Sequence, residues 1–590
     1  MVLFSAVATK RCCSAIPPLN FSTQKSFATL RLLRQWHYRL VANALTKYTC
    51  MLLSRKTAIK LPALNQLKQA FGISATAHEN NSSDVLDFAG QPQAKPLSRR
   101  SFMGNMVKAS AAIGVAGLYQ ACNPANKKTQ SRIAIVGAGI AGLHAAYILK
   151  QAGFTADMYE ASGRVGGRIF SVADLMEKGY WTEMGGEFID SGHKDMLNLA
   201  NQFNLPLLDR RAPKELSLGL EEYAYYFNKT YYHQKDIVEA LHPFTPQLKK
   251  DIASLSGDIS YTSHTQNDVY FDNLSIVDYT DKLGLSGWFK SFINNGYTAE
   301  YGMEASEQSA LNFLQLISPD AQGNFAPYGI SDERFSIIGG NEKLCAALGT
   351  QLAQQIKLGH TLAAINQNNS GQYVLTFNTD VKQLTEITAD FVLLTVPFPV
   401  LRGVDMQLPL PAWKMNGIQQ LGVGTNGKIF IGVHDRVWRK QGYAGYAFTD
   451  NGLMNGYDST QMQHGNNGAG VYTIAPGGKA GAAVGSGDAN LMQQTAIGQL
   501  DELYPGAKGA FTGRISHWNW RDYPLSKCSY MSYKTGQYTT IAGSQFQPVG
   551  NLYFAGEHCS IASQGFMNGG AETGRMAAEL MIKKLTAKAV

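Results

Sequence analysis

The clearest periodic signal in the chain begins at Ile133-Ala134-Ile135-Val136, four consecutive apolar residues of the kind buried on both faces of a parallel sheet. It runs straight into Gly137-Ala138-Gly139-Ile140-Ala141-Gly142, and a helical pattern follows over 143–151. A second strand pattern covers 155–159 and ends at Glu160. Strand, G-x-G-x-x-G, helix, strand and acid at this spacing predict a dinucleotide-binding βαβ unit. Gly137 allows the tight turn, Gly139 lets backbone approach a pyrophosphate, and Gly142 lets helix and strand pack closely. The helix N-terminus presents unpaired N–H groups and partial positive charge to phosphate. Glu160 is placed to accept both ribose hydroxyls, which disfavours a cofactor with a 2′-phosphate. The pattern leaves NAD and FAD both open.

Other elements follow along the chain. Phe335-Ser336-Ile337-Ile338-Gly339-Gly340 precedes a helical pattern over 341–354, and strands are predicted at 356–358 and 391–397. Leu552-Tyr553-Phe554-Ala555-Gly556-Glu557 is a further short strand, leading through Gly565 into a final helix that runs to Leu585. Residues 455–482, rich in Gly, Asn and Gln, predict a long loop. Tyr223, Tyr225, Tyr226 and Phe227 read as ordinary core or surface aromatics.

Composition changes the picture at the N-terminus. The first 100 residues hold 14 Lys and Arg against 3 Asp and Glu, a net +11 that leaves the remainder at −3 out of a total of +8. The folded part therefore has no basic excess for nucleic acid. Residues 1–97 show no sustained periodicity and read as a leader or unassigned region, or as the product of a start placed too early. Ser98-Arg99-Arg100-Ser101-Phe102-Met103, followed by an Ala- and Gly-rich apolar run to Ala121, resembles a twin-arginine export signal over 98–122. This places the protein in the bacterial periplasm or beyond, exported with its cofactor already bound. Cys122 follows a small residue and admits a lipid anchor, although Tyr119 stands where such sites usually carry Leu. No apolar run is long enough for a transmembrane helix. The seven cysteines, at 12, 13, 50, 122, 345, 528 and 559, form neither a disulfide framework nor a C-x-x-C metal site.

Ala161-Ser162-Gly163-Arg164-Val165-Gly166-Gly167-Arg168, directly after the ribose acid, resembles the second glycine motif of the flavin-containing amine oxidase superfamily. The C-terminal stretch from Leu552 to Gly574 is similar to that family's last cofactor segment, and the resemblance extends over nearly all of 131–590. It implies an α/β protein with a Rossmann-type FAD-binding domain (131–195, 335–400 and 550–590) and an interleaved α+β substrate-binding domain (196–334 and 401–549). It also implies that Gly137, Gly139, Ala141, Gly142, Glu160, Ala161, Arg168, Gly185, Gly186, Glu187, Phe188, Leu362, Glu557, Gly565, Phe566 and Met567 hold the cofactor. Arg168 would serve the pyrophosphate, Leu362 the adenine, Glu557 the ribityl or pyrophosphate part, and the Met567 N–H the pyrimidine side of the flavin.

For the chemistry, Lys428 in Gly424-Thr425-Asn426-Gly427-Lys428 matches the family lysine that holds a water near flavin N5. Tyr530 and Phe566 match the two aromatic faces between which family substrates sit. Two departures matter. Ser529 stands where some members attach FAD through cysteine, and Cys528 falls one residue short, so a dissociable FAD is expected. Phe188 stands where related amino-acid oxidases carry a carboxylate-clamping arginine, which favours a carboxylate-free amine unless another arginine, such as Arg334, takes over. The implied activity is oxidation of an amine or amino acid to an imine, with hydride passing to flavin N5 and dioxygen returning the flavin as peroxide is released. A desaturase-like or porphyrinogen-oxidase-like flavoprotein and a non-catalytic FAD-bound scaffold remain alternatives.

Changing Arg99 and Arg100 to Lys is expected to hold the protein in the cytoplasm; cell fractionation showing unaltered export would remove the twin-arginine reading.

Overall fold

The structure, a computed structural model, describes residues 131–318, 328–329, 331–381, 383–465 and 467–587. They belong to one compact unit. The leader (1–97), the export signal (98–122) and the anchor position Cys122 lie outside the described residues.

Five short strands form a parallel sheet in the order Leu552–Phe554, Phe391–Leu394, Ile133–Val136, Ala156–Tyr159 and Ile356–Lys357. Ile133 to Val136 are all buried, as a strand covered on both faces requires. The sheet joins strands from both ends of the described chain: Ile133 pairs with Phe391, and Val392 with Leu552. Beside it lies a four-stranded sheet, Leu384–Ala389, Tyr373–Thr379, His360–Gln367 and Asp405–Gln407. The parallel pairing of Ala364 with Asp405 carries this part past residue 400, beyond the boundary expected from sequence.

A seven-stranded sheet builds the other half, in the order Phe511–Asn519, Gly427–Val433, Gly470–Ile474, Asn455–Asp458, Tyr443–Thr449, Glu221–Phe227 and Thr230–Tyr232. Here the expected loop over 455–482 is corrected. Asn455–Asp458 and Gly470–Ile474 are fully buried inner strands, and Gly478–Ala483 is a short helix. Gly456 explains the misreading. A Cβ there would come within 2.7 Å of the Tyr472 ring, so its small residue serves close packing rather than a turn.

The helix after the first strand is Ile140–Gln151, starting three residues before the expected 143. Gly139, with φ −72° and ψ 176°, is its extended N-cap, so the second half of the glycine motif is the first helical turn. Gly142 packs against the turn itself: a Cβ there would stand 2.1 Å from the Gly137 carbonyl oxygen. The final helix, Met567–Ala587, lies against Ile140–Gln151 at equally close range. A Cβ on Gly574 would stand 2.2 Å from the Ala141 carbonyl oxygen, and His144 Nδ1 lies 2.8 Å from the Ala571 carbonyl oxygen.

Gly574→Ala forces backbone apart, since the obstructing atom is a carbonyl oxygen. The expected loss is about 1–3 kcal/mol of stability, visible as a lowered melting temperature; an unchanged melt would show that the two helices separate freely.

Candidate active site

The first two glycine segments converge. Gly166 donates its N–H to the Ala138 carbonyl (2.8 Å), and Gly139 and Gly166 form a parallel bridge. Glu160 sits at the end of its strand with both oxygens oriented from below. Oε2 accepts from Ala138 N (2.7 Å), and Oε1 accepts from Ser162 N and Ser162 Oγ (2.8 Å each). The helices Ile140–Gln151 and Met567–Ala587 both begin on the same cavity, so two N-termini direct unpaired N–H groups and partial positive charge into it.

That single cavity brings together nearly every residue expected from sequence. Gly137, Gly139, Ala141, Glu160, Ala161, Arg168, Gly185, Gly186, Glu187, Phe188, Leu362, Lys428, Tyr530, Glu557, Gly565, Phe566 and Met567 all line it. Gly142 does not; it acts one layer back, in the helix–turn packing described above. Leu362 lies beside a bulge in its strand, between its pairing with Phe377 and that of Ala364 with Thr376. A bulge takes a residue out of the ladder and leaves backbone polar groups available to a ligand.

Several side chains have partners that sequence did not foresee. Arg168 donates through Nη1 to Glu557 Oε1 and to the Ser529 carbonyl, both at 2.8 Å. Glu557 Oε2 accepts from Gly565 N (3.0 Å) and Met531 N (3.4 Å). The two residues expected to grip the cofactor separately are thus one ion pair, which locks the loop before the last helix to the second glycine motif.

Lys428 is placed by strand register: it pairs directly with Trp518, which puts both side chains on one face of the sheet. Its ammonium donates to the carbonyls of Glu183 (3.0 Å) and Gly185 (2.9 Å) and to Glu187 Oε2 (2.9 Å). An ammonium has three donors, and here each has a protein acceptor. Glu187 Oε2 also accepts from the Tyr457 hydroxyl at 2.7 Å. The cavity therefore carries a Lys428–Glu187–Tyr457 triad, with the Phe188 ring edge-on to Tyr457 at 5.1 Å. Breaking a buried pair of this kind by removing one partner costs about 3–5 kcal/mol. Burial raises Glu183, behind the triad, to about 8.

Tyr530 and Phe566 line the cavity as expected. The Tyr530 hydroxyl donates to the Glu300 carbonyl (2.5 Å), and the Phe566 ring packs against His193 at 4.9 Å. Arg334 is corrected: it forms a two-pronged pair with Asp209 (2.8 Å at each contact), is absent from the cavity wall, and cannot replace a carboxylate clamp at Phe188. Ser529 lines the cavity, whereas Cys528 is buried outside the lining, with a thiol that burial pushes up to about 11.

Sequence reasoning missed Tyr457, hidden in the presumed loop, and Glu300, Glu333, Tyr328 and Tyr446, which share the lining. A signal for Glu300 existed. In the helix Gly287–Tyr301 it and Lys290 are the only charged residues, and Glu300 stands at the inner end among Tyr297, Ala299 and Tyr301.

Comparison with known proteins agrees with this geometry. The family model for flavin containing amine oxidoreductases matches residues 140–582. The chain belongs to that family. An L-amino-acid oxidase of Demansia vestigiata is 27% identical over 505 residues, covering 79% of this chain and 88% of the relative. A flavin-containing amine oxidase of Danio rerio is 23% identical over 475 residues, covering 75% and 84%. Among solved structures, putrescine oxidase bound to putrescine superposes with a TM-score of 0.64 at 19% identity, over 77% of this chain and 99% of that one. Cyclohexylamine oxidase from Brevibacterium oxydans gives 0.65 at 16%, over 78% and 100%. The protein has the mixed α/β fold of flavin amine oxidases and is an FAD-dependent amine oxidoreductase.

The cavity residues fit that cofactor. The N-terminus of Ile140–Gln151 and the adjoining glycine loops suit a pyrophosphate, Glu160 suits a ribose, and the N-terminus of Met567–Ala587 suits the pyrimidine side of a flavin. Two residues of the cavity wall, Trp518 and Gln564, carry buried donors, Nε1 and Nε2, with no protein partner. Such donors are costly unless a bound group accepts from them. Among the described residues no helix is long and apolar enough to cross a membrane.

Proposed function

We propose that this protein oxidises a carboxylate-free primary or secondary amine, using FAD held in a Rossmann-type half and a substrate held by the interleaved seven-stranded half. The observation that carries the reading is the continuity of the cavity, which runs from the nucleotide cradle at Glu160 to the aromatic region at Tyr457 and Tyr530. The bound flavin supplies the two-electron acceptor for a hydride from the amine α-carbon and passes the electrons to dioxygen.

The chain's own residues do the rest. Glu160, the glycine loops and the two helix N-termini hold the nucleotide. Tyr530 and Phe566 orient the amine, which must lose its proton before reaction because an ammonium has no lone pair to support the departing hydride. Aromatic faces also favour the positive charge that then develops on nitrogen. Lys428 keeps a fixed positive charge on the wall, tethered by Glu187 and two carbonyls so that it cannot swing away. A preorganised charge of this sort stabilises negative charge at little reorganisation cost. Phe188, together with the engagement of Arg334 by Asp209, leaves that position without a carboxylate clamp. FAD is dissociable, since Ser529 rather than Cys528 lines the cavity. Export in folded form by the twin-arginine route, with or without a lipid at Cys122, is part of the same proposal, as is dioxygen as the acceptor.

Purified yellow protein mixed anaerobically with a panel of amines and amino acids is expected to bleach with amines and to release peroxide when air is readmitted. Bleaching by amino acids alone would contradict the missing clamp, and bleaching only by polyenes or porphyrinogens would contradict amine oxidation. Acid precipitation should leave the flavin in the supernatant; flavin retained on the polypeptide would mean a covalent bond.

Lys428→Met is expected to slow reaction of the reduced holoenzyme with oxygen by about tenfold or more. An unaltered oxidative half-reaction, followed by stopped-flow absorbance, would remove Lys428 from that role.

A further inference from the structure

Two carboxylates on the cavity wall, Glu300 and Glu333, have no evident structural purpose. Both line the cavity, and among the described residues no hydrogen bond or ion pair reaches either side-chain carboxylate. Glu300 engages only through its backbone, accepting from the Tyr530 hydroxyl. Glu333 is held through its main chain. Its N–H donates to Asp190 Oδ1 (2.9 Å), its carbonyl accepts from Arg210 Nη1 (3.3 Å), and its φ is 41°. Asp190 thus supports a backbone conformation that non-glycine residues rarely adopt, at the residue that brings a second acid to the wall.

The neighbouring charges are committed elsewhere. Asp190 Oδ2 faces His193 (3.4 Å), and Glu187 is engaged by Lys428 and Tyr457. Arg210 turns to Gln461 (2.7 Å) and lies over the Phe188 ring at 4.4 Å. Around this end four acids face two cations, so Glu300 and Glu333 are the uncompensated pair. Burial, with the charge of Asp190 added, raises Glu300 to about 7. Burial raises Glu333 to about 8, with Arg210 opposing and the charges of Glu300, Asp190 and Glu187 adding to the rise. Both acids are half-buried in the recess of the cavity wall; acids left unpaired away from bulk water are costly, and an added cation is the group that would return both to their charged form. The walls suit one: Tyr328, Tyr446 and Tyr530 lie close enough for the two acids to disturb their hydroxyls, and all line the cavity. Tyrosine faces attract ammonium.

We propose that Glu300 and Glu333, walled by Tyr328, Tyr446 and Tyr530, bind a second ammonium group of the substrate, so that the amine oxidised here is an aliphatic di- or polyamine. The proposal rests on the amine-oxidation reading above and adds the chemistry of the substrate's far end. The reacting nitrogen sits between Tyr530 and Phe566, while the distal ammonium remains protonated against the two acids. Tyr530 takes part at both ends, since its hydroxyl is fixed to the Glu300 backbone. The same distal group occurs on a basic amino acid, from which the missing carboxylate clamp distinguishes a diamine.

The test uses the holoenzyme with 1,5-diaminopentane, L-lysine and n-pentylamine, which share a carbon chain and differ in the second ammonium and the carboxylate. At pH 8 the diamine is expected to exceed n-pentylamine in kcat/KM by about tenfold or more, as loss of a buried charge-assisted contact implies. Its advantage should shrink as pH falls through 8 to 6 and the two acids take up protons. In Glu333→Gln and Glu300→Gln, tested separately, the diamine-to-pentylamine ratio is expected to fall about 10- to 100-fold, with flavin absorbance confirming that cofactor is bound. Equal turnover of the two amines, or variants that leave the ratio where it was, overturns the subsite while amine oxidation stands. L-Lysine as the preferred substrate assigns the subsite to an amino acid and overturns the diamine. Failure of every amine to bleach the flavin overturns both readings together.

Discussion

The structure depends on contact between two helices that the sequence keeps more than 400 residues apart. Ile140–Gln151 and Met567–Ala587 meet backbone to backbone, with Gly574 against the Ala141 carbonyl and His144 beside the Ala571 carbonyl. Side chains larger than hydrogen at the contact would hold the helices apart. Because they touch so closely, their N-termini open onto one cavity rather than two. The strand order of the parallel sheet repeats the arrangement, with Leu552–Phe554 two places from Ile133–Val136. Cofactor binding here is a property of tertiary contact and not of any one motif.

On that platform the chemistry is arranged by fixed charges. Arg168 and Glu557 form a strut between the second and last cofactor segments. Lys428, Glu187 and Tyr457 form a second strut, from the seven-stranded sheet to the segment after Trp181–Glu183. Both pairs are largely shielded from water, where a charge without its partner is strongly penalised. Each therefore fixes the geometry of the wall as well as its sign.

Much of this was legible in the sequence, and the reason is local. The strand–glycine–helix–strand unit, the second glycine motif and the Gly-Glu strand end each carry their meaning within about ten residues, and so their cavity-lining positions could be named. What the sequence concealed lies in long-range pairing. Arg334 could be offered as a clamp because nothing nearby in sequence reveals Asp209. Tyr457 was lost because glycine and asparagine around it mimic a loop, whereas those small residues let inner strands approach the rings of their neighbours. Glu300 and Glu333 come from different segments and acquire significance only when both face the same space.

The position of Met567–Ala587 in the chain has a consequence for biogenesis. A ribosome delivers the glycine motif more than 400 residues before the helix that completes the cradle. Until that final helix has emerged and docked, the nascent molecule lacks one of the two N-termini and the Glu557 half of the first strut. Flavin capture must therefore follow synthesis of the segment that forms Met567–Ala587, however early the glycine motif has folded.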